Sequence, residues 1–96
     1  MITGKQRSYL KSLAHNKDPL LQIGKTGISQ ALIDQLDQLL EDHELVKVKV
    51  LQNSPNEAEE IVDEILERVG GEFVQLIGSK FTLYRPSKEN KTIELP

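Results

Sequence analysis

The sequence predicts an α/β fold: a two-layer sandwich in the order α-β-α-β-α-β-β, with a mixed four-stranded sheet. Three observations predict it. Residues 28–40 and 58–69 both carry apolar side chains at helical spacing. Residues 45–51 alternate, with Val46, Val48 and Val50 on one face and Lys47 and Lys49 on the other, as in a strand with one buried face. Two further apolar runs meet at Gly78-Ser79, a glycine-first pair suited to a type II′ hairpin. Strands separated by helices favour parallel pairing, and the closing hairpin adds an antiparallel pair.

Each element has its own signals. Thr3-Gly4-Lys5-Gln6 reads as a capping box opening a first helix over about 4–15. Its apolar stripe is thin (Tyr9, Leu10, Leu13, Ala14), which leaves Lys5, Arg7 and Lys11 outward. Pro19 breaks the helix by disfavouring helical geometry at Asp18. Leu20-Leu21-Gln22-Ile23 is a short strand, and Gly24-Lys25-Thr26-Gly27 turns the chain. A helix over about 29–42 then buries Leu32, Ile33, Leu36, Leu39 and Leu40, with Asp34, Asp37 and Glu41 on its other side. After the strand at 45–51, Ser54 or Asn56 is the expected cap of a helix over about 57–69. Gly70-Gly71 ends that helix. Strands at 73–77 and 80–85 follow. Residues 1–86 form the expected domain, and 87–96 a polar, loosely held tail.

Composition removes several function classes. The chain has 96 residues, room for one core. It has no cysteine, so disulfides, thiolate catalysis and thiolate zinc sites are all excluded. No apolar run reaches the length of a membrane span, and the polar start lacks a signal-peptide pattern. A cytoplasmic, monomeric protein is expected. His15 and His43 fall at helix ends, where exposed carbonyls account for them. The carboxylates at 57–67 read as the solvated face of a helix. No catalytic residue, metal ligand, cofactor or small-molecule substrate is expected.

Net charge is −3, but the charges are segregated. Lys5, Arg7, Lys11, Lys17 and Lys25 face only Asp18 within residues 1–27. Residues 28–72 carry twelve acids against Lys47, Lys49 and Arg68. Residues 73–96 are basic again, through Lys80, Arg85, Lys88 and Lys91. The local field at a binding face matters more than the sum.

Gly24-Lys25-Thr26-Gly27 is the most informative stretch. It joins a strand to a helix start, where unpaired N–H groups and the helix dipole attract phosphate. Lys25 adds a charge and Thr26 a hydroxyl donor. On spacing alone, G-x-x-G is as readily an ordinary strand-to-helix turn. It is not a nucleotide P-loop, because Pro19 and Leu20 stand where the upstream glycine is needed. Lys5, Arg7, Lys11, Lys47, Lys49, Lys80 and Arg85 are the candidates for extending a phosphate track. Phe73 and Phe81 are core candidates, and Tyr84 is a candidate for stacking on a base. The alternative function is an adaptor whose acidic helix faces, through Asp34, Asp37 and Glu41, bind a basic partner such as a ribosomal protein.

The runs Leu20-Leu21-Gln22-Ile23-Gly24-Lys25-Thr26-Gly27, His43-Glu44-Leu45-Val46-Lys47-Val48-Lys49 and residues 77–89, from Ile77-Gly78-Ser79-Lys80 onward, resemble YhbY-type bacterial proteins. These are stand-alone members of the CRM (chloroplast RNA splicing and ribosome maturation) domain family. The resemblance covers nearly the whole chain in register. It implies a fold similar to the C-terminal domain of bacterial translation initiation factor three. It also implies a G-x-x-G loop used for RNA as in KH domains, a role that transfers to Gly24, Lys25, Thr26 and Gly27. Precursors of the large ribosomal subunit are the implied partner, and plant relatives use such domains in group II intron splicing.

Overall fold

The computed structural model describes all 96 residues. Helix α1 spans Gly4–Ala14, β1 Leu21–Ile23, α2 Gln30–His43, β2 Leu45–Val50, α3 Ala58–Val69, β3 Glu72–Ile77 and β4 Lys80–Tyr84. The element order is the expected one. The strands lie in the order β1-β2-β4-β3, so β4 inserts between β2 and β3. β1 runs parallel to β2, while β4 is antiparallel to both its neighbours. Gly78 has φ +60 and Ser79 lies outside the positive-φ region, as a type II′ hairpin requires.

The main core forms where α2 and α3 cover one sheet face. Ile33, Leu36 and Leu40 from α2 and Ile61, Val62 and Ile65 from α3 meet Val46, Val48, Phe81 and Leu83. A second, smaller core lies on the reverse face beneath α1. It joins Leu10 and Ala14 to Leu45, Val74 and Tyr84, with Ile93 and Leu95 packed against it. A one-residue bulge in β3 serves both cores. Phe73 pairs with Leu83 and Leu76 with Phe81, so β3 holds one residue more than β4 over that span. Phe73 and Leu76 therefore pack on the main core while Val74 reaches the second.

Several expectations are corrected by long-range packing. Tyr9 is 38% exposed and lies outside the buried stripe of α1, which consists of Leu10 and Ala14 with Leu13 half-buried. The capping box of α1 forms as expected, with Thr3 Oγ1 accepting from the Gln6 amide at 3.1 Å. The cap of α3 is Glu57 instead of Ser54 or Asn56. Glu60 reaches back to the Glu57 amide at 3.4 Å. Ser54 bonds the backbone of Asn56 instead, so its hydroxyl is taken up within the loop.

The segment after Pro86, expected to be loosely held, is fastened to the end of α2. Glu44 is 1% exposed. Its carboxylate accepts from the amides of Ser87 (2.8 Å), Thr92 (2.7 Å) and Ile93 (2.9 Å) and from the Thr92 hydroxyl (2.9 Å). Glu41 accepts from the Ser87 hydroxyl at 2.5 Å and the Lys88 amide at 3.1 Å. Polar composition concealed this because the donors are mostly main-chain amides, which any sequence supplies.

Candidate nucleic-acid interface

Residues Gly24–Gly27 form a hydrogen-bonded turn, with the Gly27 amide donating to the Gly24 carbonyl at 2.9 Å. Lys25 and Thr26 both avoid positive φ, so the turn is type I, and both side chains stand exposed at its tip. Gly27 follows at φ +64 and is buried against Pro55. Ser29 then caps α2, its hydroxyl accepting from the Leu32 amide at 3.1 Å. The first turn of α2 contains no acid. That of α3 contains Glu59 and Glu60. Of these two helix starts, only α2 leaves its partial positive charge uncompensated by its own side chains.

The loop after β2 supports the turn from behind. The Leu51 amide donates to the Ile23 carbonyl at 2.8 Å. A Cβ built on Gly24 would meet Asn53 and Leu51 at 3.6 and 3.7 Å, ordinary contact distances. At Gly27 it would meet Pro55 Cγ at 3.0 Å in a backbone region alanine resists. Gly27→Ala is therefore expected to cost about 1–2 kcal/mol, and Gly24→Ala less than about 0.5 kcal/mol. Paired thermal melts followed by circular dichroism check this difference.

Beside the turn, the reverse sheet face carries a row spanning all four strands. Gln22 pairs with Lys49, Lys49 with Lys80, and Lys80 with Ile77. Lys49 and Lys80 thus lie directly opposite each other, an arrangement that repels. Neither forms an ion pair, and neither do Lys5, Lys11 or Lys25; the three salt bridges are Met1–Glu72, Arg68–Glu64 and Arg85–Asp37. Ile77 is 68% exposed at the end of the row. An open polar cleft of about 1010 Å³ adjoins it, lined by Lys49, Gln52, Asn53, Asn56, Gly78 and Ser79 among others.

The other candidates divide. Arg7 and Lys11 border a depression running along β3 to Ile77, with Arg7 Nε donating to the Phe73 carbonyl at 3.2 Å. Lys5 is exposed in the first turn of α1. Lys47, on the same face as Lys49, donates to the Ala14 carbonyl at 2.9 Å and so closes the end of α1. Arg85 turns inward. It bonds Asp37 Oδ1 (2.6 Å), the Asp37 carbonyl (2.9 Å) and the Val69 carbonyl (3.0 Å), tying α2 to the end of α3. Tyr84, the stacking candidate, is 5% exposed in the second core and has no face to offer a base. Burial, and then the charge of Glu44, push its phenol above the ordinary value. Of the acids expected to form an adaptor face, Asp37 holds Arg85, Glu41 holds the tail and Asp34 accepts from Gln30. Gln22 and Ile77 had no sequence signal, since the row exists only once β4 is known to lie beside β2. No group of three or more histidine or acidic side chains is placed to hold a metal ion.

Residues 2–85 match the CRS1 / YhbY (CRM) domain family. The chain belongs to that family. The probable RNA-binding protein YqeI of Bacillus subtilis is 43% identical to this CRM domain over 96 residues, covering all of both chains. An RNA-binding protein of Haemophilus influenzae is 36% identical over 95 residues, covering 99% of this chain and 95% of its own. The solution structure of the hypothetical protein SAV1595 from Staphylococcus aureus superposes with a TM-score of 0.82 at 54% identity over the full length of both chains. The CRM fold thus accounts for the arrangement that presents the Gly24–Gly27 turn at one edge of the sheet.

Proposed function

We propose that this CRM domain binds structured RNA through its phosphates and performs no covalent chemistry. Its target class is ribosomal RNA in precursors of the large subunit, met in the cytoplasm. The observation that carries the reading is the unpaired, mutually repelling Lys49–Lys80 couple beside an exposed Lys25 at an uncompensated helix start. A fold that sets two lysines at paired strand positions without an acid gains from an anionic backbone laid across them. The relatives named as RNA-binding proteins support the same reading. Amides at the start of α2, Lys25 and Thr26 hold phosphates, while Lys49, Lys80 and Lys11 fix the path of the strand. Lys47 and Arg85 act through the fold.

The test is Lys80→Glu, which drives two quantities in opposite directions. It places an acid opposite Lys49 and is expected to stabilise the fold by about 0.2–1 kcal/mol. It is also expected to weaken binding of a large-subunit ribosomal RNA fragment by about tenfold and to lower the slope of log affinity against log salt by about 1. Fluorescence anisotropy at several salt concentrations, with a thermal melt of the same samples, reads both. Unchanged affinity and slope would remove the sheet row from the interface.

A further inference from the structure

Strand β3 forms the edge of the sheet opposite the strand that leads into the Gly24–Gly27 turn. An edge strand presents unpaired backbone donors and acceptors, which recruit a further strand unless they are blocked. On β3, Arg7 bonds the Phe73 carbonyl, and Arg7 and Lys11 flank the strand on its α1 side, away from the groove beside α3. Between this edge and α3 runs a groove of about 340 Å³ lined by Val62, Leu66, Phe73 and Leu76, with Glu59 and Asp63 on its rim. Leu66, Phe73 and Leu76 are each only partly buried. Glu59 and Asp63 are exposed, and no cation of this chain pairs with either. The groove therefore combines an apolar floor, an unanswered negative rim and a free strand edge.

We propose that this groove docks an extended, basic segment of a protein partner. The segment adds to the sheet along β3, sets an aliphatic side chain onto Leu66, Phe73 and Leu76, and directs Arg or Lys to Glu59 and Asp63. Each part of the site selects for one part of that occupant. The edge requires extended backbone, the floor requires an aliphatic anchor, and the unpaired acids require cations. RNA is repelled by the same rim. The sheet order places the groove three strands from the Gly24–Gly27 turn, about 14 Å across the sheet at the usual strand spacing. The groove also lies on the face covered by α3, whereas the Lys49–Lys80 row lies on the reverse face, so an RNA and a basic peptide can be held at once.

The inference is independent of the RNA reading, and its test uses no RNA. The probe is a fluorescein-labelled synthetic peptide of arginine, valine and threonine, about twelve residues long, enough to pair along β3. The full chain, labelled with ¹⁵N, is titrated with it. Amide shifts confined to residues 73–77 and the outer face of α3 are expected, with Kd in the range of tens of micromolar. The double variant Glu59→Lys, Asp63→Lys, altered only at exposed positions, is expected to weaken binding at least tenfold, and a glutamate-for-arginine control peptide is expected not to bind. Equal affinity in the double variant would overturn the proposal. So would shifts centred on Lys49 and Lys80, or no binding at millimolar peptide. Concentration-dependent shifts of β3 without peptide would assign the edge to a second copy of this chain instead.

Discussion

The double replacement Lys25→Asp, Thr26→Asp is expected to weaken binding of a large-subunit ribosomal RNA fragment by about 100-fold, equivalent to about 2.7 kcal/mol. Both side chains stand at the tip of a type I turn, a position aspartate accepts, so the fold survives the change. The substitution removes one positive charge and adds two negative ones at the start of α2. There the new carboxylates are favoured by the helix dipole and stabilise the protein by about 0.3–1 kcal/mol. Phosphate is then excluded twice, by repulsion and by occupation of the helix start. Anisotropy near physiological salt measures the loss, and circular dichroism verifies that the variant is folded. Lys25→Ala, Thr26→Ala, which removes contacts without adding charge, is expected to lose about tenfold. Equal binding by all three proteins would reduce the turn to a connector.

Glu44→Ala is expected to destabilise the fold by about 3 kcal/mol, because it takes the acceptor from one buried and three partly buried donors at once. The amides of Ser87, Thr92 and Ile93 and the Thr92 hydroxyl all lose their acceptor. Glu44 also has φ +65, a region alanine resists as glutamate does, so this replacement relieves no strain. For a domain of this size the loss corresponds to roughly 12–20 °C in Tm. Glu44→Gln, which keeps one acceptor oxygen, is expected to lose about half as much. The same carboxylate gives the fold a pH dependence. Burial opposes its charge, but the amide and hydroxyl donors outweigh burial and hold its pKa below the ordinary 4.5. Glu41 is lowered as well, first by the Ser87 hydroxyl and then by the Lys88 amide. A carboxylate with a depressed folded-state pKa contributes stability that is present above its unfolded value and lost as pH falls through the folded one. Urea midpoints are therefore expected to be flat from neutral pH to about pH 5 and to fall below about pH 4.3. In Glu44→Ala that acid-side fall is expected to be shallower.

What the sequence disclosed was local. The Thr3 and Gln6 box, the stripes of α2 and α3, the alternation of β2 and the Gly78 hairpin are encoded within a few residues of where they act. The Gly24–Gly27 turn was legible for the same reason. Contacts between distant segments were not. Lys49 and Lys80 are equivalent to any other surface lysines until β4 is known to lie beside β2. Lys47 differs from Lys49 only in lying near the end of α1, and that depends on how α1 crosses the sheet. Tyr84 and Arg85 are neighbours in sequence with opposite polarities, yet both point inward, one to the second core and one to Asp37. Asp37 and Glu41 read as parts of an acidic face open to a partner, whereas they and Glu44 are structural acceptors.

The donors that satisfy Glu44 lie 43 to 49 residues further along the chain. During synthesis, α1, the Gly24–Gly27 turn and α2 are all made before those donors exist. Until residues 87–93 emerge, Glu44 has no partner that allows it to be buried. Until Ile93 and Leu95 arrive, the second core lacks its cover. Helix α1 is thus among the last elements to be locked, and closure of such distant contacts slows the final step of folding.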